Sequence, residues 1–183
     1  MPRVQPIDYA TSPPEVRAAH DSVLAEHGRV TNMKRTLMRA LPAFSALDQW
    51  YPLHDAVEPF LGERLTSLYT HAISSETDCL ICSTFFRRLL IDAGEDPDAF
   101  TMDERERVVI EYGRALAQQG ARVPDELYRQ LAALFSEEQV VALTAFGAMM
   151  VATNVFNNAL EVDLDEYLEP YRKPAAARSG DPS

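Results

Sequence analysis

Residues 62–94 read GERLTSLYTHAISSETDCLICSTFFRRLLIDAG and contain the only two cysteines of the chain, Cys79 and Cys82. Apolar residues recur at helical spacing on both sides of this pair, which predicts two successive helices. Side chains at i and i+3 lie on one face of a helix. The C-x-x-C spacing therefore predicts a helical protein in which two thiols lie within reach of a disulfide.

The segments around this stretch also carry helix signals. Capping boxes are predicted at 12–15, 101–104 and 136–139, and Thr77 or Asp78 is expected to cap the cysteine helix. Sustained alternation of apolar and polar residues with hairpin turns is absent from the sequence. The sequence therefore predicts an all-α fold, a single-domain bundle of about eight helices with short connections.

Length and composition suit one compact domain, because the chain has 183 residues of which 46% are hydrophobic. The helix that follows residue 136 is uniformly apolar over Val140–Phe156, so we expect a second subunit to cover part of it. The predicted parts of the chain are a flexible arm at 1–11, the helical domain at 12–172 and a disordered tail at 173–183.

Charge and hydropathy argue against several classes of partner. The net charge of −11 opposes contact with a phosphate backbone, so nucleic acid is not an expected partner. Val140–Val151 is shorter than the roughly 20 apolar residues that span a bilayer, and residues 1–14 lack the apolar segment of a secretory signal. A cytoplasmic protein without a membrane segment is therefore expected.

Three kinds of chemistry are open to the cysteine pair. The positive end of a helix lowers the pKa of a thiol in its first turn, which favours redox chemistry. Apolar neighbours such as Phe85 and the carboxylate of Asp78 oppose this effect, so an inert buried pair stays an alternative. A structural zinc site needs four ligands and the sequence has no second C-x-x-C, so no metal is expected.

Four segments together resemble one family. Glu63–Leu68 matches its E-R-L-x-E-L lead-in, and Cys79–Cys82 follows at the distance of its C-x-x-C. Phe135–Thr144 is similar to its F-S-x-x-E-I-V-E-L-T segment, and Asn154–Leu160 is similar to its N-x-F-N-R-x-A-N ending. Over roughly residues 30–165 the sequence therefore resembles the carboxymuconolactone decarboxylase and alkylhydroperoxidase D superfamily.

This resemblance implies an all-helical fold that assembles as a trimer or hexamer, with the C-x-x-C in a pocket near a subunit interface. It also implies a thiol-dependent peroxidase or disulfide reductase in which Cys82 is the peroxidatic thiol and Cys79 resolves it. The expected substrate is a small peroxide or disulfide, and the expected electron donor is a dithiol protein such as a lipoyl-bearing carrier. No metal or other cofactor is expected on this branch.

Two positions depart from the family pattern. Ser67 stands where the family has its relay glutamate, and Phe86 stands where it has a histidine. His71 lies one helical turn beyond Ser67 and is the local candidate for a base, since a histidine pKa lies near 6.5. We therefore expect His71, with Ser67, to replace the missing proton relay.

Two other functions stay open, the first from the family resemblance and the second from the missing relay residues. One is a cofactor-free lyase of the decarboxylase branch, and the other is a non-catalytic helical oligomer that binds or senses redox state. Outside the cysteine stretch, Asn154, Asn157 and Asn158 are interpreted as capping or interface residues. Trp50 and Tyr51 are interpreted as packing residues or as part of a pocket entrance.

Overall fold

The computed structural model describes residues 1–173, and every regular element in that range is helical. The all-α prediction is therefore confirmed, although the described chain has one α-helix more than the predicted eight. Residues 174–183 of the predicted tail lie outside the described range. The elements are α1 Pro14–His27, α2 Asn32–Leu37, α3 Leu41–Asp48, α4 Trp50–Leu61, α5 Glu63–Glu76, α6 Leu80–Asp92, α7 Glu104–Ala117, α8 Asp125–Leu134, α9 Glu137–Leu160 and a 3₁₀ helix Glu166–Tyr171.

Capping signals located some helix ends correctly. Ser136 and Gln139 form the predicted capping box at the start of α9. The box predicted at 101–104 was wrong by two residues, because Asp103 is the N-cap of α7 and forms the box with Glu106. The predicted box at 12–15 was wrong, because Pro13 is the N-cap of α1 and has no hydroxyl or carboxylate to accept a hydrogen bond.

The segment before α5 forms two helices. α3 ends at Asp48 and α4 begins at Trp50. Pro52 lies in the first turn of α4, where its missing N–H leaves no helical hydrogen bond unmade.

The core is built around α5, which packs against α6, α7 and α9. Tyr69 of α5 is fully buried, and its hydroxyl donates a 3.0 Å hydrogen bond to the carbonyl of Leu143 in α9. Gly113 and Gly147 lie against the Tyr69 ring and leave room for it. This contact fixes α9 against α5, and therefore fixes the residues of α9 that lie near the cysteines.

The first eleven residues lie against the helical domain. The N–H of Ile7 donates to the carbonyl of Arg35, and the buried Ile7 packs with Val16 and Val23 of α1. Arg3 forms an ion pair with Glu161 beyond the end of α9. These contacts place the chain start over α1 and α2.

By length and composition α9 is apolar enough to cross a membrane. The core helix of a soluble protein passes the same test, and α9 packs against α3, α4, α5, α7 and α8 within the described chain. Its inner side therefore lies in the core, whereas its outer side is left exposed within residues 1–173.

Candidate dithiol site

A sharp turn between α5 and α6 sets the position of the two cysteines. Asp78 has a left-handed backbone (φ 52°), and the N–H of Cys79 donates to the carbonyl of Ser74 at 3.0 Å. Cys79 is thereby the N-cap of α6. The expectation that Thr77 or Asp78 caps this helix was wrong, because the turn places both before the cap.

Both cysteines are free thiols and both are buried, with 0% of Cys79 and 6% of Cys82 exposed. The Cys82 thiol hydrogen-bonds the Cys79 sulfur, which lowers the pKa of Cys79 against the opposing effect of burial. The same hydrogen bond, together with burial, raises the pKa of Cys82 well above its usual range. When one of the two thiols ionises, the negative charge therefore lies on Cys79, and Cys82 keeps the proton of the hydrogen bond.

The helix start adds to the effect on Cys79. Its side chain makes no N-cap hydrogen bond of regular geometry within residues 1–173. The N–H groups of Cys82 and Ile81 nevertheless lie close enough to lower the pKa of Cys79 further. This is the behaviour expected of a thiol at a helix N-terminus.

Asn157 of α9 lies beside both thiols. Its side-chain nitrogen is 3.3 Å from Sγ of Cys82 and 3.9 Å from Sγ of Cys79. Sequence reasoning assigned Asn157 to capping or to a subunit interface, and its contact with the cysteines was missed. The neighbouring Asn154 and Asn158 do bond the α5–α6 turn, at the Thr77 hydroxyl and carbonyl.

A cavity of about 160 Å³ opens at Cys82, which contributes to its wall, whereas the fully buried Cys79 does not. The wall is mostly apolar and aromatic. It includes Met33, Leu37, Phe44, Leu47, Trp50, Ile81, Phe85, Phe86, Met150 and Leu168.

Charged and polar groups on the same wall were also missed by the sequence analysis. The ammonium of Lys34 lies 2.8 Å from the Tyr51 hydroxyl and 3.9 Å from a carboxylate oxygen of Asp48. Asp165 is the other carboxyl of the wall, and burial raises its pKa. The sequence around Lys34 gives no sign that its side chain is buried.

His71 and Ser67 lie elsewhere on α5. Neither lines the cavity, and within the described residues neither side chain hydrogen-bonds a cysteine. Burial lowers the pKa of His71 to about 4, with the charge of Arg87 adding to the effect. At neutral pH His71 is therefore uncharged and a weak base, and its role as the relay base stays a prediction.

The described part of the chain has no preformed metal site, because no three His, Cys, Asp or Glu side chains are grouped there to hold an ion.

No protein-family model matches the sequence, and no curated protein matches it either.

Solved structures do match the chain over most of its length. A peroxidase-related protein from Ralstonia eutropha JMP134, described as an alkylhydroperoxidase AhpD core, superposes with a TM-score of 0.72 at 18% identity, over 91% of this chain and 94% of that one. This chain has the alkylhydroperoxidase D fold. A peroxidase-related protein from Silicibacter sp. TM1040 matches with a TM-score of 0.67 at 16% identity, over 92% and 96% of the two chains.

Another structure with high similarity to this alkylhydroperoxidase D fold is the debrominase Bmp8. Its apo form matches with a TM-score of 0.75 at 17% identity, over 92% of this chain and 95% of that one. A Bmp8 variant with a cysteine changed to alanine, solved with 2,3,4-tribromopyrrole, gives a TM-score of 0.76. At these identities the likeness establishes the fold, and the function has to be argued from the site.

Proposed function

We propose that this chain is a dithiol oxidoreductase that reduces small organic hydroperoxides, with Cys82 as the attacking thiol and Cys79 as the resolving thiol. The observation that supports this order is the cavity wall, where Cys82 meets the space that a substrate can occupy and Cys79 lies fully buried next to it. Access thus favours Cys82 even though the resting charge favours Cys79.

The reaction begins when the Cys79 thiolate takes the proton of Cys82 across the hydrogen bond that they share. The Cys82 thiolate attacks the terminal oxygen of the hydroperoxide, the O–O bond breaks, and Cys82 becomes a sulfenic acid. The alkoxide that leaves takes a proton and departs as an alcohol. Cys79 then attacks the Cys82 sulfur, and hydroxide leaves with the Cys79 proton as water.

The product on the protein is a Cys79–Cys82 disulfide, and an external dithiol returns both cysteines to the reduced state. Since Cys82 is reached through the cavity and Cys79 is buried, a slender donor such as a lipoyl arm suits this site better than a broad protein surface. Cavity size also restricts the substrate. An apolar cavity of about 150 Å³ admits benzene, so a short alkyl or single-ring hydroperoxide is of suitable size.

The test is turnover of ethyl hydroperoxide with dihydrolipoamide as reductant. We expect Cys82→Ser to abolish turnover. Cys79→Ser should keep one round of oxidation, slowed by the loss of the Cys79 thiolate as base, and should accumulate the Cys82 sulfenic acid, which a dimedone adduct reveals by mass spectrometry. Turnover retained in Cys82→Ser would contradict the proposal. If wild type oxidises neither thiol, the lyase or the non-catalytic alternative takes its place.

Reductive dehalogenation of a small aromatic compound is a second candidate. It is favoured by the aromatic wall formed by Trp50, Phe85 and Phe86 and by the match to a debrominase solved with a bromopyrrole. Here Cys82 removes the halogen as a sulfenyl halide, the ring carbon takes a proton, and Cys79 displaces halide to form the disulfide. Bromide release from 2,3,4-tribromopyrrole, compared in the same two cysteine variants, distinguishes this activity from peroxide reduction.

We also infer that the chain forms a homo-oligomer, the trimer or hexamer that the family resemblance implies. The outer side of α9 carries apolar residues that the described chain leaves uncovered, including Val141 at 68% and Val155 at 57% exposure. Ala145, Ala148 and Ala152 continue this exposed line between them. Light scattering of wild type and of Val141→Glu tests the assembly, since a buried glutamate opposes association.

A further inference from the structure

Lys34 is a charged group of the cavity wall that the reaction has not yet used. Lys34 is only 6% exposed and comes from α2, while Asp48 ends α3 and Tyr51 lies in the first turn of α4. Lys34, Asp48 and Tyr51 all line the cavity that contains Cys82. Three helices therefore bring one ammonium group and one phenol to the cavity that Cys82 also lines.

The hydrogen bond between Lys34 and Tyr51 sets the direction in which a proton can move. Lys34 donates to the Tyr51 oxygen at 2.8 Å, so the hydroxyl hydrogen of Tyr51 is free to point away from Lys34. No acceptor for that hydrogen occurs among residues 1–173. The His27 ring stacks on Tyr51 with centroids 4.3 Å apart and holds the phenol in place.

The shifted pKa values make Lys34 the source of the proton and Tyr51 its carrier. Burial lowers the pKa of Lys34, against the opposing charges of Asp48 and Glu26, and this eases release of its proton. Burial, with the charges of Asp48 and Glu26, raises the pKa of Tyr51 to about 12. Tyr51 therefore stays protonated at neutral pH and can pass a proton on only as it receives another from Lys34.

We propose that Lys34 is the proton donor of this site and delivers its proton through the Tyr51 hydroxyl to the leaving group formed at Cys82. The proposal rests on the reductase function above. In peroxide reduction the alkoxide takes the Tyr51 proton, Tyr51 takes the Lys34 proton, and solvent later restores the ammonium. This pair supplies the acid that Ser67 and Phe86 do not.

The experiment compares two substrates of nearly equal size that differ in the basicity of the leaving group. Ethyl hydroperoxide releases ethoxide, which needs a proton, whereas peracetic acid releases acetate, which is stable without one. We expect Lys34→Met to slow Cys82 oxidation by ethyl hydroperoxide roughly a hundredfold, the usual scale for a lost general acid. The loss with peracetic acid should be less than about threefold by the same reasoning.

Tyr51→Phe is the second variant and should show the same selective loss, because it removes the hydroxyl that carries the proton. Met and Phe keep the size of the original side chains, and circular dichroism checks that both variants fold. Equal losses with the two peroxides, or no loss with ethyl hydroperoxide, would overturn the role of Lys34. Failure of wild type to react with either peroxide would instead overturn the reductase function, and the donor role with it.

Discussion

The side-chain nitrogen of Asn157 lies 3.3 Å from Sγ of Cys82, although the two residues are 75 positions apart in the sequence. The same nitrogen is 3.9 Å from Sγ of Cys79. One N–H donor is thus available to a thiolate on either sulfur, in a buried place where water supplies little stabilisation. Asn157 lowers the pKa of both cysteines.

Replacing Asn157 by Leu should raise the pKa of both cysteines, including the attacking Cys82. A hydrogen bond to a charged group contributes about 1.5–3 kcal/mol, so alkylation at neutral pH should slow by roughly 10- to 100-fold. The measurement is the pH dependence of iodoacetamide labelling, followed by mass spectrometry. Asn158→Ala is the matched control, because Asn158 bonds the Thr77 carbonyl from an exposed position. A folded Asn157→Leu protein with the wild-type labelling profile would contradict this role.

Cys82 could be identified as a site residue from the sequence, whereas the residues around it could not. The all-α fold and the cysteine pair follow from local spacing, which periodicity and capping express directly. Asn157 and Lys34 could not be found in this way, because their contacts with Cys82 and Tyr51 depend on how α9, α2 and α4 pack. Lys34 in particular has the sequence signature of an exposed helical lysine, and burial of such a residue is a tertiary property.

His71 provides a pH prediction. Its pKa is about 4 in the folded chain and about 6.5 when unfolded. Between these values the unfolded chain binds more protons, so folding stability should fall as the pH drops from 6.5 to 4. Over this pH range the free energy of unfolding of His71→Gln should fall by about 1–2 kcal/mol less than that of wild type. This figure allows for the partial exposure of the ring. Urea unfolding at pH 7 and pH 4.5 measures the difference.

The prediction can be separated from other titrations. The pKa of His71 is also affected by charged side chains that both proteins keep, namely Arg87, Arg114, Asp98 and Lys173. Asp98, whose pKa the hydrogen bond from Arg87 lowers to about 2, titrates below the range used. If wild type and His71→Gln lose the same stability, the His71 ring is not held in its uncharged form by burial.

Gly147 of α9 should not accept a side chain. An added Cβ would lie 2.2 Å from the Tyr69 hydroxyl and 2.7 Å from a methyl carbon of Leu116. Tyr69 is fully buried and bonds the Leu143 carbonyl, so it has little room to move. Gly147→Ala should destabilise the fold by roughly 1–3 kcal/mol, the usual cost of overpacking. The exposed Ala148→Ser is the control, and a Gly147→Ala variant as stable as wild type would contradict the contact.

Trp50 is the only tryptophan in the chain and should report occupation of the cavity. Its indole N–H lies 2.7 Å from the Met150 sulfur, and its ring stacks on His54. Toluene is of suitable size for the cavity and should change Trp50 emission in a saturable way. Since Cys82 shares that wall, toluene should slow its alkylation over the same concentration range. Trp50→Phe should remove the emission change and keep the protection. Emission that changes without protection of Cys82 would mean that reagents reach the thiol by a route other than this cavity.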